Sequence, residues 1–297
     1  MRLKLIREVS ALRIRRGHRF ISGLLAIAAV AISIMLLATA GCTAGPTETR
    51  EDNFTVAGTP RLVVNSENGS IEVNAGSGNE VHVKATLRGT DRLKYEVKQD
   101  GDTITVSVQV NKPWFVIGQS PGADVAITAP ASADVKLETS NGYIELHGIE
   151  VDGILRTSNG RLVLDNVSGD FEGRTSNGSI EVDNMEGMAV LSTSNGPVDI
   201  REVIGEFDVE TSNGRISFIG NMTAGGSNRL VTSNGSVYVE LKGTPSVSLD
   251  AKTSNGKVAS KLPILATVTK EDHLIGKIGE GDADLYIRTS NGDITIK

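Results

Sequence analysis

Thr157-Ser-Asn-Gly-Arg-Leu-Val-Leu-Asp165 and Thr175-Ser-Asn-Gly-Ser-Ile-Glu-Val-Asp183 carry one pattern, 18 residues apart. Thr-Ser-Asn-Gly occurs eight times, with its Asn at Asn141, Asn159, Asn177, Asn195, Asn213, Asn234, Asn255 and Asn291. The first five copies are 18 apart, the next two steps are 21, and the last is 36. A fixed period in this range marks a stacked repeat. The longer steps place extra residues near Gly225-Gly226-Ser227 and Pro245. The double step predicts a coil that lost its motif, with Glu271-Asp272-His273-Leu274 in its place.

Apolar residues stand two and four positions after each motif glycine: Leu162 and Leu164, Ile180 and Val182, Val198 and Ile200, Ile216 and Phe218. Alternation of this kind is a strand with one buried face. Arg161, Asp165, Glu181 and Asp183 fall on the opposite, solvent phase. Glycines recur every nine residues from Gly160 to Gly214, so each coil reads as two halves, each a short strand and a turn. Asn-Gly fits a tight turn with left-handed backbone angles. A hairpin turn would ask for no identical Thr-Ser before it. Identity is explained if each copy touches the next. Parallel stacking about 4.8 Å apart would let Asn side chains bond up a ladder, with Thr filling the corner. The fold expected is therefore an all-β solenoid of about 18-residue coils rather than an antiparallel meander.

Residues 139–297 form the regular part. Residues 54–138 alternate less evenly and include a degenerate motif, Asn65-Ser-Glu-Asn-Gly-Ser-Ile-Glu-Val73. They read as irregular first coils and a β cap covering the N-terminal end. The chain stops in Asp293-Ile-Thr-Ile-Lys297, which predicts an open edge there.

The 297 residues are 39% hydrophobic, 4% aromatic and −6 in formal charge. Seven cations and one anion lie in residues 1–20 and no charge in 21–41, leaving −12 on residues 42–297. So acidic a body repels nucleic acid. Ile21–Ala40 is apolar and long enough to span a bilayer as one hydrophobic helix, and the cations before it direct the rest of the chain out of the cytoplasm. Thr39-Ala40-Gly41-Cys42 resembles a lipoprotein lipobox, which makes Cys42 the lipidation candidate. Two other readings of residues 1–42 are an uncleaved anchor helix and a signal peptide cut after Ala38-Thr39-Ala40. Residues 43–53 read as a tether.

No catalytic, metal or cofactor set emerges. Stacking would bring Asp165 beside Asp183, as a polysaccharide-cleaving helix needs of its carboxylates, but outward strand positions are commonly charged for solubility. The turns hold Asn and Ser where a calcium roll needs Asp. Candidate binding residues are Trp114 and Phe115, in a Pro/Gly-rich loop, with Tyr143, Asp165 and Asp183 on the outer face.

An export segment, an irregular β start and Thr-Ser-Asn-Gly repeats together resemble a bacterial family of domains of unknown function whose members are called putative adhesins. The resemblance covers about residues 54–297 and implies an envelope β-solenoid without established catalytic residues. The function expected is a non-enzymatic, envelope-anchored binding protein outside the cytoplasmic membrane. It would hold the membrane through lipid or the N-terminal helix and meet an envelope polymer or protein. An envelope-stress component docking a membrane sensor and a polysaccharide-active enzyme are the alternatives.

Overall fold

A computed structural model describes residues 47–111 and 120–297, all-β apart from one 3-10 turn at Thr90–Arg92. The expected N-terminal helix and Cys42 lie outside the described residues. The strands run β1 (Thr47–Thr55), β2 (Arg61–Asn68), β3 (Ile71–Gly76), β4 (Glu80–Arg88), β5 (Leu93–Asp100), β6 (Thr103–Val110), β7 (Gly122–Pro130) and β8 (Asp134–Asn141). Next come β9 (Ile144–His147), β10 (Gly153–Asn159), β11 (Leu162–Arg174), β12 (Ile180–Thr193), β13 (Val198–Asn213), β14 (Ile216–Met222) and β15 (Ser227–Asn234). The last are β16 (Val237–Leu241), β17 (Val247–Asn255), β18 (Val258–Ser260), β19 (Leu265–Thr269), β20 (His273–Ile278), β21 (Ala283–Asn291) and β22 (Ile294–Ile296).

Pairing arranges them on two faces. The first runs β1-β4-β7-β3-β9-β11-β12-β13-β14-β16-β22-β18. The second runs β5-β6-β2-β8-β10-β11-β12-β13-β15-β21-β17-β20-β19. The long strands β11, β12 and β13 bend and serve both. Equivalent residues 18 apart pair in parallel: Leu164 with Val182, and Val182 with Ile200. Asp165 pairs with Asp183, and Glu181 with Asp199, as their spacing predicts. The alternating aliphatics fill the space between the faces, where Phe207 and Phe218 meet edge to face at 5.2 Å.

The Thr-Ser-Asn-Gly corners are stitched twice. Each Asn donates its side-chain N–H to the Asn side-chain oxygen one coil down, at 2.7–2.9 Å, through 68-141-159-177-195-213-234-291-255. Each buried motif Thr donates its hydroxyl to the carbonyl of the motif glycine below, for example Thr175 to Gly160 at 2.9 Å and Thr211 to Gly196 at 3.0 Å. The turn chemistry differs from the expected one. No motif Asn has a positive φ. The glycine is needed instead for approach: a Cβ on Gly196 would lie 2.0 Å from the Gly178 carbonyl oxygen.

Left-handed residues sit at the opposite corner, at Asn166 (φ 54), Asn184 (φ 51) and Glu202 (φ 52). Here the strand bends without stopping, so the coil is not two equal strand-and-turn halves. Asn184 donates to the Asn166 side-chain oxygen at 2.6 Å, a second, shorter ladder. Glu202 has no amide side chain to extend that ladder and offset its strained backbone.

At both ends coil order departs from chain order. β2 lies between β6 and β8, so the degenerate motif heads the ladder at Asn68. β21 lies between β15 and β17, so the last motif, Asn291, is inserted between Asn234 and Asn255. Two expectations fall with this. The C-terminal strand β22 is not an open edge, because β16 and β18 flank it. Residues 271–274 are not a coil without its motif: Glu271 and Asp272 lie in the turn of the antiparallel hairpin β19–β20 and His273 and Leu274 begin β20, and the hairpin covers the final corner, where Thr253 N–H bonds to Asp272 O and Val258 N–H to Glu271 O. A step of 36 residues fits two coils or one coil with a detour, and this chain takes the detour.

Gly196→Ala is expected to destabilise the fold by about 1–3 kcal/mol, with Ser194→Ala within about 0.5 kcal/mol of wild type in chemical denaturation. Glu202→Asn should raise stability by about 1 kcal/mol, since Asn tolerates the left-handed region and can extend the Asn166–Asn184 ladder; a lower melting temperature would contradict the strain assigned there.

Candidate functional site

The outward columns are laced by ion pairs between coils. On the second face Arg156 reaches Glu138 at 3.4 Å and Glu172 at 2.8 Å, and Arg174 also meets Glu172 at 2.8 Å. Further along, Arg229 joins Asp208 at 3.0 Å and Glu210 at 3.1 Å, and Arg288 and His273 hold Asp250 at 2.7 and 3.0 Å. On the first face Arg161 pairs with Glu145, and Arg215 with both oxygens of Asp199 at 2.9–3.0 Å. Such exposed pairs contribute little stability each, but they leave the surface nearly neutral along these columns.

Asp165 accepts from Asn166 Nδ2 at 2.8 Å and lies 3.2 Å from His147 Nδ1, with Asp183 beside it in register. Among the described residues no three His, Cys, Asp or Glu side chains converge as a metal would require. Tyr143 is 38% exposed, with the Arg161 guanidinium 5.2 Å from its ring centre. Tyr238 also faces outward but is tied to Glu240 at 2.6 Å and covered by Lys297 at 4.9 Å. Trp114 and Phe115 lie outside the described residues.

The candidate site centres on Tyr143. A shallow hollow of about 590 Å³ opens beside it, lined by Asn68, Ser70, Arg88, Asp124 and Asn141. It exists because β4 and β7 of the cap abut the first motif corner. The head of the Asn ladder ends here, Asn68 donating to the Pro121 carbonyl at 3.0 Å. Asp124 closes the corner by accepting the Ser70 N–H and hydroxyl at 3.0 Å each, and it forms a two-pronged pair with Arg88. Burial raises the Asp124 carboxyl, but the bonds from Arg88 and Ser70 outweigh it and hold the group below the ordinary aspartate range. An ionised, fully engaged carboxylate of this kind positions neighbours and is poorly suited to accept a proton. The hollow offers an aromatic face, two ladder amides and a guanidinium, groups suited to a polar, hydroxyl-bearing ligand. Sequence alone points to Tyr143 and Asn141. It gives no signal for Arg88 or Asp124, which are 36 residues apart on non-repeating strands.

The Toastrack DUF4097 family matches residues 59–297. The chain belongs to the Toastrack family. No curated protein matches it. Solved structures with similarity to the Toastrack domain include a putative cell adhesion protein from Clostridium sporogenes, 16% identical over 84% of this chain and 99% of that one, TM-score 0.25. A putative adhesin from Bacteroides fragilis is 10% identical over 84% and 97%, TM-score 0.48. A putative lipid binding protein from Parabacteroides distasonis is 13% identical over 85% and 98%, TM-score 0.40.

A depressed carboxyl gives stability that is present above the ordinary aspartate value, about 4, and lost as pH falls through the folded value. The melting temperature of the Toastrack domain should therefore fall more steeply below about pH 4 in wild type than in Asp124→Asn. Parallel curves would contradict the role given to Asp124.

Proposed function

We propose that this Toastrack chain is a non-enzymatic, adhesin-like binding protein, anchored in the cell envelope and displayed outside the cytoplasmic membrane. One observation carries the reading: outward side chains recur at the same register from coil to coil on a doubly stitched stack. A rigid surface with a repeat of about 4.8 Å suits contact with an extended or repeating partner, such as an envelope polymer or the surface of another envelope protein. The hollow beside Tyr143 adds a polar contact point to that surface. Residues 1–42 supply the address, and the basic flank, apolar run and Cys42 support anchoring through lipid or through the helix itself.

Cys42→Ser is expected to move the chain from the membrane to the soluble fraction if lipid is the anchor, and to leave it in place if the helix is. An antibody against the repeats should label intact cells. Release of sugar fragments from envelope polysaccharide by the purified chain would overturn the non-enzymatic reading.

A further inference from the structure

Among the described residues four strands have a partner on one side only: β1 and β5 at one end of the stack, β18 and β19 at the other. Open edges invite pairing and are usually guarded. Three of these four are guarded. β1 carries Glu48, Arg50, Glu51 and Asp52, β5 carries Lys94, Glu96, Lys98 and Asp100, and β18 is three residues long. β19, Leu265-Ala-Thr-Val-Thr269, has no charge, and only a register shift at Thr267 interrupts it. Its Leu265 is 78% exposed, the most exposed large apolar residue described.

The surroundings of β19 are basic in a chain that is otherwise strongly acidic. Lys261 and Lys270 flank the strand, both exposed and without an ion-pair partner among the described residues. Lys277 stands directly across from Leu265. The two acids of the turn that follows, Glu271 and Asp272, are outnumbered by Lys257, Lys261, Lys270 and Lys277, and Glu271 is engaged by Lys257 at 2.7 Å. An uncharged edge framed by cations fits an extended strand with carboxylates at its ends.

We infer that β19 is a docking edge at which an extended acidic segment of a partner protein adds as a further strand, its apolar side chain resting on Leu265 and its carboxylates meeting Lys261, Lys270 and Lys277. Main-chain hydrogen bonds supply the attachment, and the lysines select against basic strands and steer the approach. The inference does not rest on envelope anchoring, and its failure would leave that reading standing.

The test uses the full-length chain in detergent and two labelled peptides, each with a Thr-Val-Thr-Val centre, one flanked by Asp and Glu and the other by Lys. Fluorescence anisotropy should give at least tenfold tighter binding of the acidic peptide. Hydrogen exchange should show new protection at residues 265–269. Leu265→Ser should weaken binding by removing the apolar contact without changing charge, and Lys261→Glu with Lys270→Glu should erase the preference, with melting temperatures confirming that each variant folds. Equal binding of the two peptides, or protection confined to another strand, would overturn the inference. So would concentration-dependent self-association lost in Leu265→Ser, because the edge would then belong to a second copy of the chain.

Discussion

The structure depends on how closely the Thr-Ser-Asn-Gly corners approach one another. At each glycine there is no room for a Cβ between one coil and the carbonyl of the coil beneath. That approach puts the Asn side chains in bonding reach and lets each Thr hydroxyl satisfy a carbonyl that the corner would otherwise leave buried and unpaired. Register is fixed by the same contacts. A slip of one residue would turn every inward aliphatic outward and break both ladders together. A thin interior built mainly of Leu, Ile and Val, with few aromatics, is sufficient because the corners, and not the core alone, define which residues face each other.

Ladder ends are where such a stack is vulnerable, and this chain closes its two ends differently. At the first, the Asp124 carboxylate takes the place of the missing coil, accepting from Ser70 while Arg88 balances its charge. At the second, the hairpin β19–β20 folds over the last corner with backbone carbonyls of Glu271 and Asp272 as acceptors. The first closure creates the polar hollow beside Tyr143. The second leaves an uncharged edge among lysines. Both surfaces suited to a partner are thus consequences of how the repeat is terminated, while the repeat itself supplies a stiff, acidic body between them.

Much of this is legible in the sequence wherever the period holds. Eight copies of one tetrapeptide identify the stack, and phase alone assigns Leu164 and Val182 inward and pairs Asp165 with Asp183. A second signal of the same period, Asn166 and Asn184 followed by Glu202, marks the left-handed corner, although its short Asn ladder is overshadowed by the longer one. What the sequence does not reveal is contact between segments without repeats. Arg88, Ser70 and Asp124 meet only because cap strands fold back on the first coil. The insertion of β21 between β15 and β17 is hidden because every motif copy offers the same corner, so identical local chemistry permits more than one order of stacking. The inward/outward assignment survives that reordering, since it depends on phase and not on which coil is the neighbour.

The stacking order can be read directly by pairwise oxidation of engineered cysteines at exposed motif serines, in a Cys42→Ser background. Neighbouring strands about 4.8 Å apart are within disulfide reach, and strands separated by a third are not. Ser233→Cys with Ser290→Cys, and Ser254→Cys with Ser290→Cys, should cross-link, while Ser233→Cys with Ser254→Cys should remain reduced. Cross-linking of 233 to 254, with none between 233 and 290, would mean that the coils follow chain order, and would contradict the account.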